Sequence, residues 1–472
     1  MCGRPNLDFR GSGCVSPAPP HSLHHHRDPA VLLTSVLAAF SLAAGTPGRV
    51  RTPGEGLPVA LPSEVGMSAE RLAEINEVVN SGIRAGAYPG ASVFVGRQGY
   101  AVLEEGFGHL TWGQSSADVD PERTIYDLAS LTKVIATTTA IMVLYDEGKI
   151  GLDDPVQKYI PEFKGGLKAR VTIRMLLEHR SGLPPGRNLF RTAHSPAEAR
   201  AQVIDTHLYY RPNALFEYSD LGADMLGFIV ERVSGETLDR FVAEHVFEPL
   251  GMHDTEFNPD PSLDFRIAPT DSWSSRGYPL QGQVNDDNAY AMGGVAGHAG
   301  LFSSASDLAI FAQMMLNGGT YDGVRIVADS TVRIFTTRAP HADGRALGWD
   351  TCSGEGGCGQ FMGTSAYGHT GFTGTSIWID PDRQMFVILL TNRVYDPKVR
   401  YSMTAIADVR ADLADAAVLA VQDDPDAPVA MPAGWRTDRQ TGWNRAPRRA
   451  RHKSTHRKTV VRKPAAIRKR GG

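Results

Sequence analysis

The 472 residues hold four cysteines and no Cys-x-x-Cys pair, which leaves a cysteine-ligated zinc site without ligands. His-Glu-x-x-His is missing, so a zinc-hydrolase helix has no starting point, and Gly-x-Ser-x-Gly is missing, which removes the elbow of a Ser-His-Asp hydrolase. No apolar run is long enough for a transmembrane helix, which takes about 18 residues or more. No internal repeat is found. Acidic residues are absent from Arg439 to Gly472, where thirteen Lys and Arg accumulate; the formal net charge of −4 therefore divides into −17 before residue 439 and +13 from it onward. With little to bury, residues 439–472 are expected to form a disordered basic tail. That tail could tether the protein to an anionic polymer or a membrane surface, and a solvated tail without a partner is the alternative. Specific nucleic-acid recognition is not expected, because no base-reading fold accompanies the charge.

What remains is ordinary globular material, 42% hydrophobic and 21% charged. The stretch from Ala30 to Ala44 follows Arg27, is mostly apolar and ends in small residues. It reads as a secretory signal peptide cut near Ala43 to Gly45, which predicts a secreted, periplasmic or cell-envelope protein; a disordered cytoplasmic leader is the alternative. The expected organisation is a leader over 1–44, a Pro/Gly-rich linker over 45–61, one body over 62–421, a second linker over 422–438 and the tail. Cys352 and Cys358 flank a glycine-rich spacer that could close a disulfide loop or carry two free thiols.

Inside the body, Ser68 can cap a helix whose Leu72, Ile75 and Val79 share a face. Residues 91–97 and 100–106 read as strands meeting at Gln98-Gly99, and residues 375–379 and 385–391 as a later pair. Helical patterns occupy about 130–147, 172–180, 196–206, 221–234, 237–247, 304–316 and 400–416. A lone hairpin is marginal in water, so the early and late strands should share one antiparallel sheet covered by the terminal helices. The helical middle would be an insertion at its edge. This is an α+β architecture.

Three segments carry chemistry. In Ser130-Leu-Thr-Lys133 the serine stands at a helix start, and residues three apart lie about 5–6 Å from each other at Cβ, so Lys133 can reach the Ser130 hydroxyl. The apolar helix that follows should desolvate the amine and lower its pKa, making a neutral base accessible. In Phe216-Glu-Tyr-Ser-Asp220, Tyr218 can point into a cleft, or Asp220 can simply cap the next helix. In Gly368-His-Thr-Gly-Phe-Thr-Gly374, small residues around His369 permit close approach of a substrate, or His369 is simply a strand histidine satisfied by hydrogen bonds. A glycine-rich loop from Met292 to Leu301 lacks a P-loop lysine and reads as a tight structural turn before a helix capped by Ser304.

In this order, Ser-x-x-Lys, Tyr-Ser-Asp and His-Thr-Gly resemble the motifs of the penicillin-recognising serine hydrolases: class C β-lactamases, D-alanyl-D-alanine carboxypeptidases and related esterases. The stretches Thr124 to Lys133, Gly148 to Val156, Thr172 to Leu183 and Leu347 to Asp350 support the likeness over about residues 62–417. The loop from Gly293 to Ser303 looks most like the carboxypeptidase-like branch. The resemblance implies a β-lactamase/transpeptidase-like fold, with Ser130 as nucleophile and Lys133 and Tyr218 sharing its proton. It further implies an oxyanion site from the backbone N–H groups of Ser130 and Phe372, substrate contacts from Asp220, His369, Thr370 and Gly371, and no metal or organic cofactor. Two departures weigh against β-lactam or peptide-amide recognition. Asp220 stands where the family usually has asparagine, and His369 where it often has lysine, which weakens attraction for a substrate carboxylate. The expected substrate is a small molecule or peptide: an ester, a D-alanyl peptide or a β-lactam. A non-catalytic envelope protein of the same fold with a polyanion-binding tail is the alternative.

Overall fold

A computed structural model of the protein describes residues 56–340, 344–352, 356–423, 431–438 and 443–444. The leader, most of the first linker and nearly all of the basic tail lie outside the described residues.

Six strands form one antiparallel sheet: β1 (Gly90–Arg97), β2 (Tyr100–Gly108), β3 (Asp350–Thr351), β4 (Tyr367–Thr370), β5 (Ser376–Asp380) and β6 (Met385–Thr391). Their spatial order is β2-β1-β6-β5-β4-β3. The early hairpin therefore joins the late one through β1 and β6, in the register Ala91↔Thr391 to Arg97↔Met385. Side chains alternate across a strand, and both faces of this sheet are covered. Val93, Val95, Val387 and Leu389 pack under helices α1 (Glu74–Ala85) and α5 (Ser402–Leu419). Phe94, Phe386, Ile388 and Leu390 belong to the second, larger core with α4 (Ala305–Leu316). Burial on both sides is why β6 reads as an unbroken apolar run rather than an alternating one.

Of the helical region, α4 covers the second face of the sheet instead of sitting at its edge. α4 is apolar nearly all round, from Leu308 to Met315, and an edge position would leave much of that surface in water. Two further differences concern boundaries. Leu57 is fully buried and Val59 bridges to Ala101, so packed chain begins before residue 62. Residues 431–438, expected as linker, pack on α5: Trp435 is buried, and Arg436 pairs with Asp412 and Asp415 at 2.7 and 2.8 Å. Trp443 is buried as well, its indole N–H donating to Asp408 at 2.7 Å. Composition averaged over a polar stretch hides two tryptophans that can each bury a large apolar area. Cys352 and Cys358 are joined in a disulfide with Cα atoms 5.8 Å apart.

Candidate active site

The serine motif lies between two constraints. Strand Tyr126–Asp127 pairs with Leu301–Ser303, and the chain then turns sharply, with Ala129 at φ +47°. A non-glycine residue in this left-handed region is strained and persists only where its surroundings hold it. Buried Asp127 does so: one carboxylate oxygen accepts the Ala129 N–H at 2.8 Å and the other the Asn285 N–H at 2.6 Å. Burial pushes the Asp127 carboxyl up to about 6. Ser130 follows in a short 3-10 turn, and Lys133 opens a π-type turn, Lys133–Thr138, that continues into α2 (Thr139–Asp146). The wide turn lies wholly in the core, and its first residue presents an amine to the site.

Lys133 is buried, and its ammonium is the hub. Nζ lies 3.0 Å from Ser130 Oγ, 2.8 Å from Asp220 Oδ1 and 3.1 Å from the His298 carbonyl oxygen, and 5.0 Å from the centre of the Tyr218 ring. Asp220 reaches it because α3 (Asp220–Ser234) is capped by Ser219, whose Oγ accepts the Gly222 N–H at 3.2 Å. The cap expected of Asp220 is made one residue earlier, which frees the Asp220 carboxylate for the lysine. The Ser219 N–H in turn donates to Nδ1 of buried His179, whose ring lies 4.5 Å from that of Tyr218. Burial, with Arg345 and Lys133 nearby, holds His179 neutral, as this acceptor role requires.

The expected lowering of the Lys133 pKa is not what the structure shows. Burial does pull it down, but the Asp220 carboxylate and Tyr218 outweigh burial and hold Lys133 well above its ordinary value. The same partnership, with His298, keeps Asp220 below the usual carboxylate range despite its own burial. The resting pair is therefore an ammonium and a carboxylate. Asp220→Asn should remove the larger opposing charge and let burial act on the amine. The acid limb of the pH profile of kcat/KM for a chromogenic ester is then expected to move to lower pH by about one unit or more. A limb that stays in place would show that Asp220 does not set the charge of Lys133.

An open cleft of about 470 Å³ exposes this cluster, with Ser130, Tyr218, Asp220, Asp286 and Phe372 among its lining. His369 lies on β4 with its ring 6.1 Å from that of Tyr218, buried and kept neutral by burial and by Arg345 and Lys133. Its Nδ1 lies 2.9 Å from the Thr370 carbonyl, and its Nε2 has no hydrogen-bond partner. Gly371 serves packing: a Cβ there would collide with Thr375 and with the carbonyl of Leu128, just before the serine turn. The structure thus brings Ser130, Lys133, Tyr218 and Asp220 together with Phe372 across the cleft, and places His369 behind Tyr218. Thr370 and Gly371 connect the β4–β5 turn to that arrangement.

Several residues at the site escape the motif reading. The glycine-rich loop, expected only as a tight structural turn, is also a wall of the site. Gly297 packs so closely on α3 that a Cβ would meet the Ala223 carbonyl, and the next residue, His298, turns its carbonyl to Lys133. The His298 ring is fully buried between Asp224 and Asp286. Arg345 stacks on both Phe216 and Tyr218 and pairs with Asp350 at 2.7 Å. A single histidine among small residues in Gly297-His-Ala-Gly was the available sequence signal.

A doubly covered antiparallel sheet, with a serine, a lysine and a tyrosine meeting between it and a helical region, defines a serine hydrolase of the penicillin-recognising kind. The family model described as Beta-lactamase matches residues 75–412, and the chain belongs to that family. It is 36% identical over 401 residues to a Salmonella schwarzengrund (strain CVM19633) protein named "Putative D-alanyl-D-alanine carboxypeptidase", covering 78% of this chain and 91% of that protein. Solved structures share the fold. A penicillin-binding protein homologue from Caulobacter crescentus is 20% identical with a TM-score of 0.58, over 75% of this chain and 98% of the other. Unliganded simvastatin synthase from Aspergillus terreus is 19% identical with a TM-score of 0.60, over 75% and 100%.

Proposed function

We propose that this serine hydrolase works through an acyl-enzyme on Ser130, with small esters as its first substrate class and D-alanyl peptides of the cell wall as the second. The observation that carries the reading is the contact of Lys133 Nζ with Ser130 Oγ at 3.0 Å, at the floor of an open cleft and beside Tyr218. Ser130 Oγ attacks the carbonyl, its proton passes into the Lys133–Asp220–Tyr218 cluster, and the cluster returns a proton to the alcohol or amine that leaves as the C–O or C–N bond breaks. Because Lys133 rests as an ammonium, it must first give up a proton before it can accept one. The cluster therefore titrates as a unit, not as separate groups. The backbone N–H groups of Ser130 and Phe372 receive the developing oxyanion, each worth about 10²–10³ in rate in comparable sites. Water, activated by the same cluster, then releases the acyl group.

Charge favours the ester. Asp220, Asp286 and Asp287 line the cleft, no Lys or Arg side chain is among its lining residues, and His369 is neutral. Each of the three carboxylates is already paired, with Lys133, His298 and Arg276, so no cation in the lining is left to hold a terminal carboxylate. The name of the Salmonella relative supports the peptide reading. A chromogenic acetate ester, an acyl-D-alanyl-D-alanine peptide and a chromogenic cephalosporin assayed side by side should rank in that order of kcat/KM. A fluorophosphonate should label the peptide that contains Ser130. Absence of label would favour a non-catalytic scaffold.

An envelope location is proposed from the apolar stretch at 30–44 and the Cys352–Cys358 disulfide, a bond that persists in oxidising compartments. Among the described residues no helix is long and apolar enough to cross a membrane. The basic tail is proposed to hold the protein at an anionic polymer or membrane surface there.

A further inference from the structure

Helix α3 presents two carboxylates one turn apart, Asp220 at the cleft and Asp224 behind it in the core. Asp220 goes to Lys133; Asp224, fully buried, accepts from His298 Nδ1 at 2.7 Å. The other ring nitrogen, Nε2, lies 3.1 Å from Asp286 Oδ1. Asp286 also caps the helix Asp287–Ala291 through the N–H groups of Asn288 and Ala289, so it belongs to the wall of the cleft. An imidazole facing a carboxylate oxygen at each nitrogen must donate twice, which makes it an imidazolium. Asp224 Oδ2 has no hydrogen-bond partner, so the compensation of that charge falls on His298. The peptide carbonyl of the same residue is the third contact of Lys133.

We propose that His298, clamped as a buried imidazolium between Asp224 and Asp286, is a positioning residue that fixes its own carbonyl as the acceptor orienting Lys133 toward Ser130. The inference rests on the reading of Ser130 and Lys133 given above. The charged groups facing the ring are Asp224 and Asp220 from α3 and Asp286 from the cleft wall, with Lys133 beyond its carbonyl. Burial alone would neutralise the ring, and these carboxylates hold its pKa well above the ordinary value. The clamp ties three separate elements (α3, the glycine-rich loop and the cleft wall) to one proton-bearing ring. A displacement of about 1 Å at a reacting group can cost about 10² in rate, so loosening the ring should be felt at Lys133.

His298→Gln keeps a hydrogen-bonding side chain and removes the charge. It is expected to lower kcat for the ester at least about tenfold, with KM changed much less, because the substrate contacts remain. It leaves Asp224 buried without its counter-charge. The double variant Asp224→Asn/His298→Gln removes that carboxylate too and should recover thermal stability while kcat stays low, because the clamp is still missing. A loss caused only by the stranded Asp224 charge predicts recovery of kcat instead. In ¹⁵N-histidine spectra the wild type should retain a doubly protonated ring at pH 8 that is missing in H298Q. Should H298Q fail to fold, Asp286→Asn loosens the clamp from the cleft side and should lower kcat several-fold. Undiminished turnover in the folded variant, or a double variant that regains most of the wild-type kcat, overturns the inference while wild-type labelling at Ser130 stands. Failure of the wild type to label at Ser130 overturns the reading of the site and the inference with it.

Discussion

Ser130→Ala is expected to abolish ester hydrolysis, with a loss of kcat on the order of 10⁵–10⁶ set against an unchanged fold. Removing a nucleophile in a cooperative cluster costs about as much as removing the whole cluster, since the remaining groups have nothing to act on. The structure gives reason to expect little effect on stability. The Ser130 hydroxyl is at the cleft surface, its hydrogen bond is with Lys133, and the amine retains Asp220 and the His298 carbonyl. The tight turn before it depends on Asp127 and not on the hydroxyl. The thermal midpoint should stay within about 2 °C of the wild type while the fluorophosphonate label disappears. Retained turnover in a folded S130A protein would refute the nucleophile.

Lys133→Met should lower acylation by about 10³ or more, and unlike S130A it should also destabilise the protein. Methionine fills much of the same volume, so packing around α2 is largely preserved. The Asp220 carboxylate, however, loses its partner at 2.8 Å, and the His298 carbonyl loses its donor. Removing one member of a buried pair typically costs about 3–5 kcal/mol; Asp220 is a third exposed, which points to the lower end. The sign of the second substitution follows. Asp220→Asn added to K133M removes the stranded charge and should restore stability without restoring acylation. If K133M acquires covalent label at the wild-type rate, Lys133 does not move the serine proton. If the double variant is no more stable than K133M, the Asp220 charge is not the source of the loss.

These two variants separate what the motif could say from what it could not. Ser130 and Lys133 were legible because spacing along a helix start fixes their proximity before any tertiary contact forms. The antiparallel sheet was legible too, from two apolar hairpins that need each other for burial. Asp220 was legible as a position and not as a role: Ser219 and Asp220 are both good helix caps, and only the His179 and Pro184 contacts that fix Ser219 decide which of them caps. His298 was hidden for the same reason. A glycine-rich loop reads as a turn whether or not it packs against the helix that carries Asp224.

The sequence by itself determined the sheet, the covering helices and a serine–lysine pair one turn apart, because periodicity and short-range spacing act within a few residues. Tertiary structure alone decided the charge of that lysine. Burial and Asp220 pull its proton in opposite directions, and their balance depends on a distance across the fold that no local pattern encodes.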